Sequence, residues 1–167
     1  MLIKDITRAD CLELLEHAKV GRLACVHDGQ PYIVPMSFEC DGDSLYSVSR
    51  LGRKIEWMRV NPSVCIQVDE IRNRSEWISV IIHGRYEELS GLSVERTYAY
   101  QLLQRNAEWW EPGCAKTTID NKELHTDWLF FRIRIDQITG RQGMPDVKRK
   151  ESGLGRWANW ISPGSYS

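Results

Sequence analysis

The feature that most constrains this chain is the stretch Val20 to Lys54, which combines three strand-like segments, two Asp-Gly pairs and a basic end. Asp28-Gly29 and Asp41-Gly42 can supply the positive φ angles of tight hairpins, and the residues around them favour extended structure. The stretch therefore predicts three antiparallel strands in a meander, which form half of a small β-barrel.

The middle segment of this stretch alternates with a period of two, so that one face is apolar and the other is mixed. The apolar face holds Tyr32, Val34, Met36, Phe38 and Cys40, and the mixed face holds Ile33, Pro35, Ser37 and Glu39. Because proline has no N–H to give to a ladder, Pro35 indicates an edge, a bulge or a gap at which neighbouring backbone groups are free. Such groups can bind a flat heterocycle.

Basic residues cluster where a helix is expected to begin. The third strand, Leu45 to Ser49, runs into the turn 50–54, and the short helical pattern after it ends at Asn61-Pro62. Cations at a helix N-terminus do not suit the macrodipole, so Arg53 and Lys54 are better explained by an anion, such as a phosphate, between them and the free amides. The alternative is a solvated surface turn, where lysine and arginine are most often found.

The rest of the chain predicts three more strands and two more helices. Thr7 to Asp10 is typical of a capping box at the start of a helix, and residues 92–106 carry Val94, Tyr98, Leu102 and Leu103 at helical intervals. The further strands are Val64 to Asp69, Trp77 to Glu87, and Trp128 to Ile138. The last of these closes a six-stranded antiparallel barrel with flanking helices.

The strand from Trp77 to Glu87 has one core face and one mixed face, which suits a ligand wall or a polar subunit interface. The mixed face holds Trp77, Ser79, Ile81, His83 and Arg85. His83 is a candidate catalytic residue, although a lone strand histidine is more often structural. Trp109 and Trp110 favour contact with a partner surface or simple internal packing.

Composition favours one domain, with a tail after it. The chain has 167 residues, 42% of them hydrophobic, and a net charge of −1, which argues against general nucleic-acid binding. Its 5 cysteines show neither metal-site nor paired spacing, and no apolar run is long enough for a membrane helix. We expect a cytoplasmic protein with reduced thiols, no metal site and no membrane partner, with a domain over 1–141 and a partly docked tail over 142–167.

The motifs of residues 21–84 resemble the FMN-binding split barrels related to pyridoxamine 5′-phosphate oxidase, in particular the nitroimidazole-resistance-like branch. The similar segments are Gly21 to Ala24, Pro31 to Phe38, Leu45-Tyr46, Gly52 to Lys54, Asn61-Pro62 and Val64-Cys65. Members of the family often have a histidine at the position of Ser47 and a small apolar residue at that of Ser49.

The resemblance implies a six-stranded split barrel that binds FMN at a homodimer interface. It places the phosphate at Arg53 and Lys54, with help from Ser49 and the amides after Gly52, and the flavin ring along the segment from Val34 to Ser37. The full set of predicted cofactor residues is Val34, Pro35, Met36, Ser37, Ser47, Ser49, Gly52, Arg53, Lys54, Trp77 and Ser79. The implied activity is that of an FMN-dependent oxidoreductase on a small molecule, and the alternative is a flavin- or haem-binding module without turnover.

Overall fold

The computed structural model describes residues 1–89, 91, 93–104 and 128–145, which form eight strands and three helices. The strands are β1 (Leu2–Ile6), β2 (Val20–His27), β3 (Gln30–Ser37), β4 (Glu39–Asp41), β5 (Ser44–Arg50), β6 (Ser63–Asn73), β7 (Glu76–Leu89) and β8 (Trp128–Met144). The helices are α1 (Arg8–His17), α2 (Arg53–Val60) and α3 (Val94–Gln104). The predicted count of six strands is therefore too low, because β1 and β4 were not recognised.

All eight strands belong to a single antiparallel sheet in the order β3-β2-β6-β7-β8-β5-β4, with β1 added to β8. The two ends of this order approach each other at the C-terminus of β3, where the Ser47 hydroxyl of β5 donates a hydrogen bond to the Ser37 carbonyl at 2.7 Å. β8 extends beyond its predicted end at Ile138 to Met144, since its second half pairs with β1 and β7. The mainly antiparallel β architecture that the sequence predicted is confirmed.

The predicted meander is correct for its first hairpin and wrong for its third strand. β2 pairs with β3 around Asp28 and Gly29, whose φ angles are 50° and 75°. β3 then ends at Ser37, and β5 pairs with β8 and β4 instead of β3. The reason is that β8 offers β5 a ladder of seven residue pairs. After Ser37 the chain enters the short strand β4, in which Glu39 is buried against the Lys19 ammonium at 3.0 Å.

The core lies on the inner face of the sheet, where the predicted alternation is confirmed. The buried inner residues of β6 and β7 are Val64, Ile66, Val68, Ile78, Val80 and Ile82. The helices α1 and α2 cover this face with Cys11, Leu15, Ile55 and Met58. Each fully buried aliphatic side chain contributes about 1.5–3 kcal/mol relative to an exposed one, so this face stabilises the position of both helices.

The helices lie where the sequence predicted them, but the predicted apolar face of α3 is wrong. Thr7 caps α1 with a complete capping box, in which Thr7 Oγ1 accepts from the Asp10 amide at 3.2 Å. On α3 the buried residues are Ala99 and Leu103, while Val94 is 83% exposed. The predicted tail began at residue 142, whereas residues 142–144 belong to β8. The predictions for Trp109 and Trp110, and for the part of the tail after residue 145, lie outside the described residues.

Candidate functional site

A cleft of about 320 Å³ opens where the ends of β3 and β5 meet the first turn of α2. Its walls come from five elements, because α3 and the start of β8 also reach it. The lining residues are Pro35, Met36, Ser37, Ser47, Val48, Ser49, Arg50, Lys54, Leu103 and Trp128. Six of the residues predicted to bind a cofactor are therefore brought together in one place: Pro35, Met36, Ser37, Ser47, Ser49 and Lys54.

The floor of the cleft is the contact between β3 and β5. Ser47 is only 2% exposed, and its hydroxyl donates to the Ser37 carbonyl. Ser49 lies two residues further along β5, and its hydroxyl donates to the Arg50 carbonyl at 3.0 Å. β3 is the terminal strand of the sheet order, so the position predicted for Pro35 at an edge is confirmed. In the described part of the chain no strand pairs with the free side of β3.

Lys54 is the partly buried cation of the cleft. Burial lowers the pKa of its ammonium group from the ordinary 10.5, while the nearby Cys25 thiol acts in the opposite direction. Lys54 is the second residue of α2, and the N-cap residue Gly52 provides no side-chain hydrogen bond. Among the described residues no carboxylate pairs with Lys54, so this wall combines an unpaired cation with the uncapped amides of a helix N-terminus.

Arg50 is the second cation that lines the cleft. It is the last residue of β5 and pairs in register with Trp128, the first residue of β8. Its guanidinium carbon lies 5.0 Å from the centre of the Trp128 ring, within the range of a cation–π contact. The end of β5 and the start of β8 thus present a positive charge beside an aromatic surface.

Arg53 and Val34 do not line the cleft, although both were predicted to bind the cofactor. The Arg53 guanidinium carbon lies 5.5 Å from the centre of the ring of Tyr32, a partly buried residue on the inner face of β3. Val34 packs against the hydrophobic core from the inner face of β3. Gly52 lies between the two cleft cations as the N-cap of α2. Their roles stay predictions, and for Arg53 a different rotamer is required.

The structure places Trp77, Ser79 and His83 on the outer face of the sheet, away from the cleft. The outer face is the side of the sheet that carries Arg22, Ile33, Pro35, Cys65, Gln67, Ser79, Ile81 and His83. β7 is separated from β3 by β2 and β6 in the sheet order. Neighbouring strands are about 4.8 Å apart, so the distance along the sheet is about 14 Å. None of these residues is among those that line the cleft, and their predicted roles remain predictions.

Four lining residues were missed by sequence reasoning: Val48, Arg50, Leu103 and Trp128. Arg50 belongs to the basic turn that the sequence singled out, so its charge was a usable signal. Leu103 and Trp128 come from elements far away in the chain, and no local pattern predicts that they reach β5. Among the described residues there is no cluster of histidine, cysteine or acidic residues that could hold a metal ion, and no helix is long and apolar enough to cross a membrane.

Fold and cleft together define a mainly antiparallel β protein of the split-barrel class, with a cationic cleft at the contact between β3 and β5. The sequence profile described as Pyridoxamine 5′-phosphate oxidase matches residues 7–142. The chain therefore belongs to this family, as its motifs predicted. An uncharacterized protein of Rhizobium meliloti is 38% identical over 144 residues, which cover 84% of this chain and 95% of the relative.

Solved structures show the same fold. A FAD-binding protein from Mesorhizobium loti is 42% identical, with a TM-score of 0.71 and coverage of 86% of this chain and 99% of that one. A candidate 5-nitroimidazole antibiotic resistance protein from Bacteroides thetaiotaomicron is 21% identical, with a TM-score of 0.63 and coverage of 85% and 89%. A heme storage protein from Vibrio cholerae is 18% identical, with a TM-score of 0.60 and coverage of 78% and 92%. The last two similarities concern the fold alone.

Proposed function

We propose that this protein is a flavin-dependent oxidoreductase whose cleft binds the FMN portion of a flavin nucleotide. The observation that carries the proposal is the position of Lys54, a partly buried cation beside the uncapped N-terminus of α2, for which the described part of the chain holds no carboxylate partner. Burying a charge without a partner costs free energy, and the partial positive charge of a helix N-terminus also disfavours a cation there. A phosphate group offsets both costs, because it pairs with the ammonium group and accepts hydrogen bonds from the free amides.

The walls of the cleft suit the remaining parts of the same ligand. The segment Pro35 to Ser37 has no neighbouring strand on its free side in the described part of the chain, so a planar heterocycle can lie along it. Ser49 lines the same cleft, and its hydroxyl is the kind of polar partner that a ribityl chain needs. The donor set of the cleft therefore fits a flavin, and FMN and FAD share the phosphate that Lys54 is proposed to hold.

The bound flavin would supply the hydride or electron transfer, and the residues of the chain would bind and orient it. Lys54 and the amides of α2 would fix one end, and β3 would set the plane of the ring. The side chains of Met36 and Leu103, both buried, would exclude water from the apolar side of the cleft. We keep His83 as the candidate catalytic residue, contributed by the partner copy.

The size of the cleft supports a homodimer as part of this proposal. Ligand pockets normally cover most of their ligand and have volumes of about 300–1,000 Å³. At about 320 Å³, the cleft lies at the lower end of this range. A two-fold dimer that packs the outer face of one copy near the cleft of the other would complete two equivalent sites, and would bring Trp77 and Ser79 to the flavin.

The second candidate function is a flavin- or haem-binding module without turnover. The observation that favours it is the shared fold with the heme storage protein of Vibrio cholerae. The absorption spectrum of the purified protein separates the ligands, since flavin and haem have distinct bands. Reduction of bound flavin by a nicotinamide donor, followed by reoxidation on a small-molecule acceptor, then separates an oxidoreductase from a module.

The proposed phosphate site is tested by titration of the flavin-free protein with FMN. Charge-assisted hydrogen bonds contribute about 1.5–3 kcal/mol each, so replacement of both Arg53 and Lys54 by alanine should weaken FMN binding at least about a hundredfold. Lys54→Ala alone should account for most of this loss. Arg74→Ala is the matched control, because Arg74 is exposed in the β6–β7 turn. Unchanged affinity in the double variant would refute the site.

A further inference from the structure

We propose that Arg59, Glu88 and Tyr86 set the direction of α2 and thereby position the phosphate ligands at its first turn. None of the three is among the residues that line the cleft. Together they form a hydrogen-bonded group, here called the α2 clamp, that joins the last turn of α2 to β7. They are positioning residues, because they act on the ligand only through the helix. The inference rests on the proposed function, since it requires that a phosphate is held at Lys54.

The contact between Arg59 and Glu88 is a pair of parallel hydrogen bonds. The Arg59 Nε and Nη2 atoms donate to the two carboxylate oxygens of Glu88, each at 2.8 Å. Such a planar fork fixes direction as well as distance, because both bonds persist in only one relative orientation of the two groups. The hydrogen bonds from Arg59 also hold the pKa of Glu88 below its ordinary 4.5, so the carboxylate is ionised at neutral pH.

Glu88 is itself held by the core of the protein through Tyr86. The Tyr86 hydroxyl donates to Glu88 Oε2 at 3.0 Å, and Tyr86 is only 6% exposed. Its ring packs against that of Phe131, with the ring centres 5.4 Å apart. Its backbone amide donates to the carbonyl of Pro62, just after the end of α2, at 2.8 Å. The α2 clamp therefore connects the helix to a buried part of the sheet.

The packing of α2 needs such a directional contact. The buried residues of the helix are Ile55 and Met58, and hydrophobic burial fixes the depth of a helix better than its direction, because the effect is not directional. On the side of the β2–β3 hairpin, Trp57 packs edge-on against the rings of His27 and Tyr32, with the ring centres 5.5 Å apart in each case. The α2 clamp holds the helix from the side of β7. Loss of the clamp therefore allows α2 to tilt toward the hairpin.

A small tilt is enough to disturb the phosphate site. The helix rises about 1.5 Å per residue, so Lys54 and Arg59 lie about 7.5 Å apart along its axis. A tilt of about 10° at the Arg59 end moves the backbone at Lys54 by about 1.3 Å. Charge-assisted hydrogen bonds are about 2.7–2.9 Å long, and a contact of about 3.6 Å is no longer a hydrogen bond. The lysine side chain can follow the phosphate in part, whereas the free amides of the first turn move with the helix.

The test is titration of the full-length, flavin-free protein with FMN. Glu88→Gln keeps the shape of the side chain and removes its charge, and we expect FMN affinity to fall at least about fivefold. Glu87→Gln is the matched control, because Glu87 is the neighbouring residue of the same strand and points to the opposite face. Its hydrogen-bond partners in the described structure, Arg132 and Arg134, both belong to β8. This variant should change FMN affinity by less than about twofold.

Two further measurements separate a positioning role from a purely structural one. In a Lys54→Ala background, Glu88→Gln should weaken FMN binding less than it does in the wild-type protein, because part of its effect passes through Lys54. Arg59→Lys retains a charge that can reach Glu88, and it should keep more FMN affinity than Arg59→Ala. Circular dichroism shows whether each variant is folded, and Arg59→Lys replaces Glu88→Gln if that variant is unfolded.

The outcomes separate the α2 clamp from the proposed function. Unchanged FMN affinity in Glu88→Gln, an equal loss in Glu87→Gln, or the same loss with and without Lys54 would overturn the positioning role while flavin binding stands. Failure of the wild-type protein to bind FMN would overturn the proposed function and the positioning role with it.

Discussion

Lys54 combines a lowered pKa with a position beside free helix amides, and each property makes its protonation sensitive to a bound anion. Without ligand, burial lowers its pKa from 10.5, so the ammonium group loses its proton at a lower pH than an exposed lysine does. A bound phosphate favours the charged form and raises the pKa again. Flavin binding and protonation of Lys54 are therefore expected to be coupled.

This coupling predicts the pH dependence of flavin affinity. Because the pKa of Lys54 is lowered from 10.5, the fraction of neutral Lys54 in the ligand-free protein increases as pH rises toward that value, and FMN affinity should fall. Above about pH 7 the charge of the phosphate is nearly constant, because its second pKa is about 6. Lys54→Arg keeps a positive charge over this range and should show a smaller fall. Parallel pH profiles for both proteins would exclude Lys54 as the phosphate ligand.

The raised pKa of the Cys40 thiol leads us to expect a loss of stability at alkaline pH. Burial, together with nearby acidic groups such as Glu16, raises the pKa of its thiol from 9.0 to about 12. In the unfolded chain the thiol releases its proton from about pH 9, whereas the folded protein retains it, so the unfolded state binds fewer protons between pH 9 and 12. The contribution of Cys40 to stability is complete below pH 9 and is lost through that window.

The measurement is the free energy of unfolding by urea at about pH 8 and about pH 10.5, for the wild-type protein and Cys40→Ser. Serine does not titrate in this range, so the variant should lose less stability between the two pH values. Other buried thiols and Tyr86 also have raised pKa values, and they contribute equally to both proteins. The same fall in the two proteins would show that Cys40 is already ionised in the folded state.

At the scale of the elements, the β7–β8 ladder decides how the sheet bends. The register shifts between His83 and Gly84, which is the position of a β-bulge. Bulges bend a strand and increase its twist, and this bend lets β8 continue from the edge of β5 to that of β1. Gly84 is required here because the backbone carbonyl of Arg134 lies where a side chain would begin.

Gly84→Ala should therefore destabilise the fold. A Cβ atom at this position would lie 2.4 Å from the Arg134 carbonyl oxygen, and relief requires displacement of β8. We expect a loss of at least about 2 kcal/mol in the free energy of unfolding, as for overpacked cores. Gly52→Ala is the control, since no atom lies within 4 Å of the point that its Cβ would occupy, and it should change stability by less than about 0.5 kcal/mol. Equal stability of the two variants in urea would contradict the assigned contact.

At the scale of the whole molecule, the outer face of the sheet is where a second copy is expected. It joins exposed apolar surface to a polar network in which the Gln67 side chain donates to Ser79 at 3.3 Å. Ile33 on this face is 63% exposed, and it lies two residues from Pro35 at the rim of the cleft. Contact at this face would bury the apolar surface and extend the walls of the cleft.

Ile33→Glu tests the dimer without disturbing the core, because the side chain is already exposed. Light scattering at micromolar concentration should give twice the chain mass of 19.4 kDa for the wild-type protein, and a lower mass for the variant. FMN affinity should fall along with the mass, since each site needs both copies. Val94→Glu alters an even more exposed apolar residue on α3 and should retain the dimer. A mass near 19.4 kDa for the wild-type protein, with and without FMN, would rule out sites shared by two chains.

Local chemistry, which the sequence contains in full, predicted most of the elements and part of the lining of the cleft. The capping box of α1, the Asp28-Gly29 turn, the alternation of β6 and β7 and the helix that starts at Arg53 all depend on neighbours within a few residues. For the same reason the sequence predicted Lys54 and the end of β3 as binding-site residues, and both line the cleft. Its motifs also identified the family.

Only the tertiary structure decided which strands pair and which distant side chains complete the cleft. The pairing of β5 with β8, and the arrival of Leu103 and Trp128 beside it, depend on contacts between segments far apart in the chain, which no local periodicity encodes. The tertiary structure also decided the rotamers of the basic turn. Arg53 contacts Tyr32 and Arg50 contacts Trp128, although the two arginines belong to the same turn. Side-chain direction is set by the partners that the fold supplies, and these partners are unknown until the chain has folded.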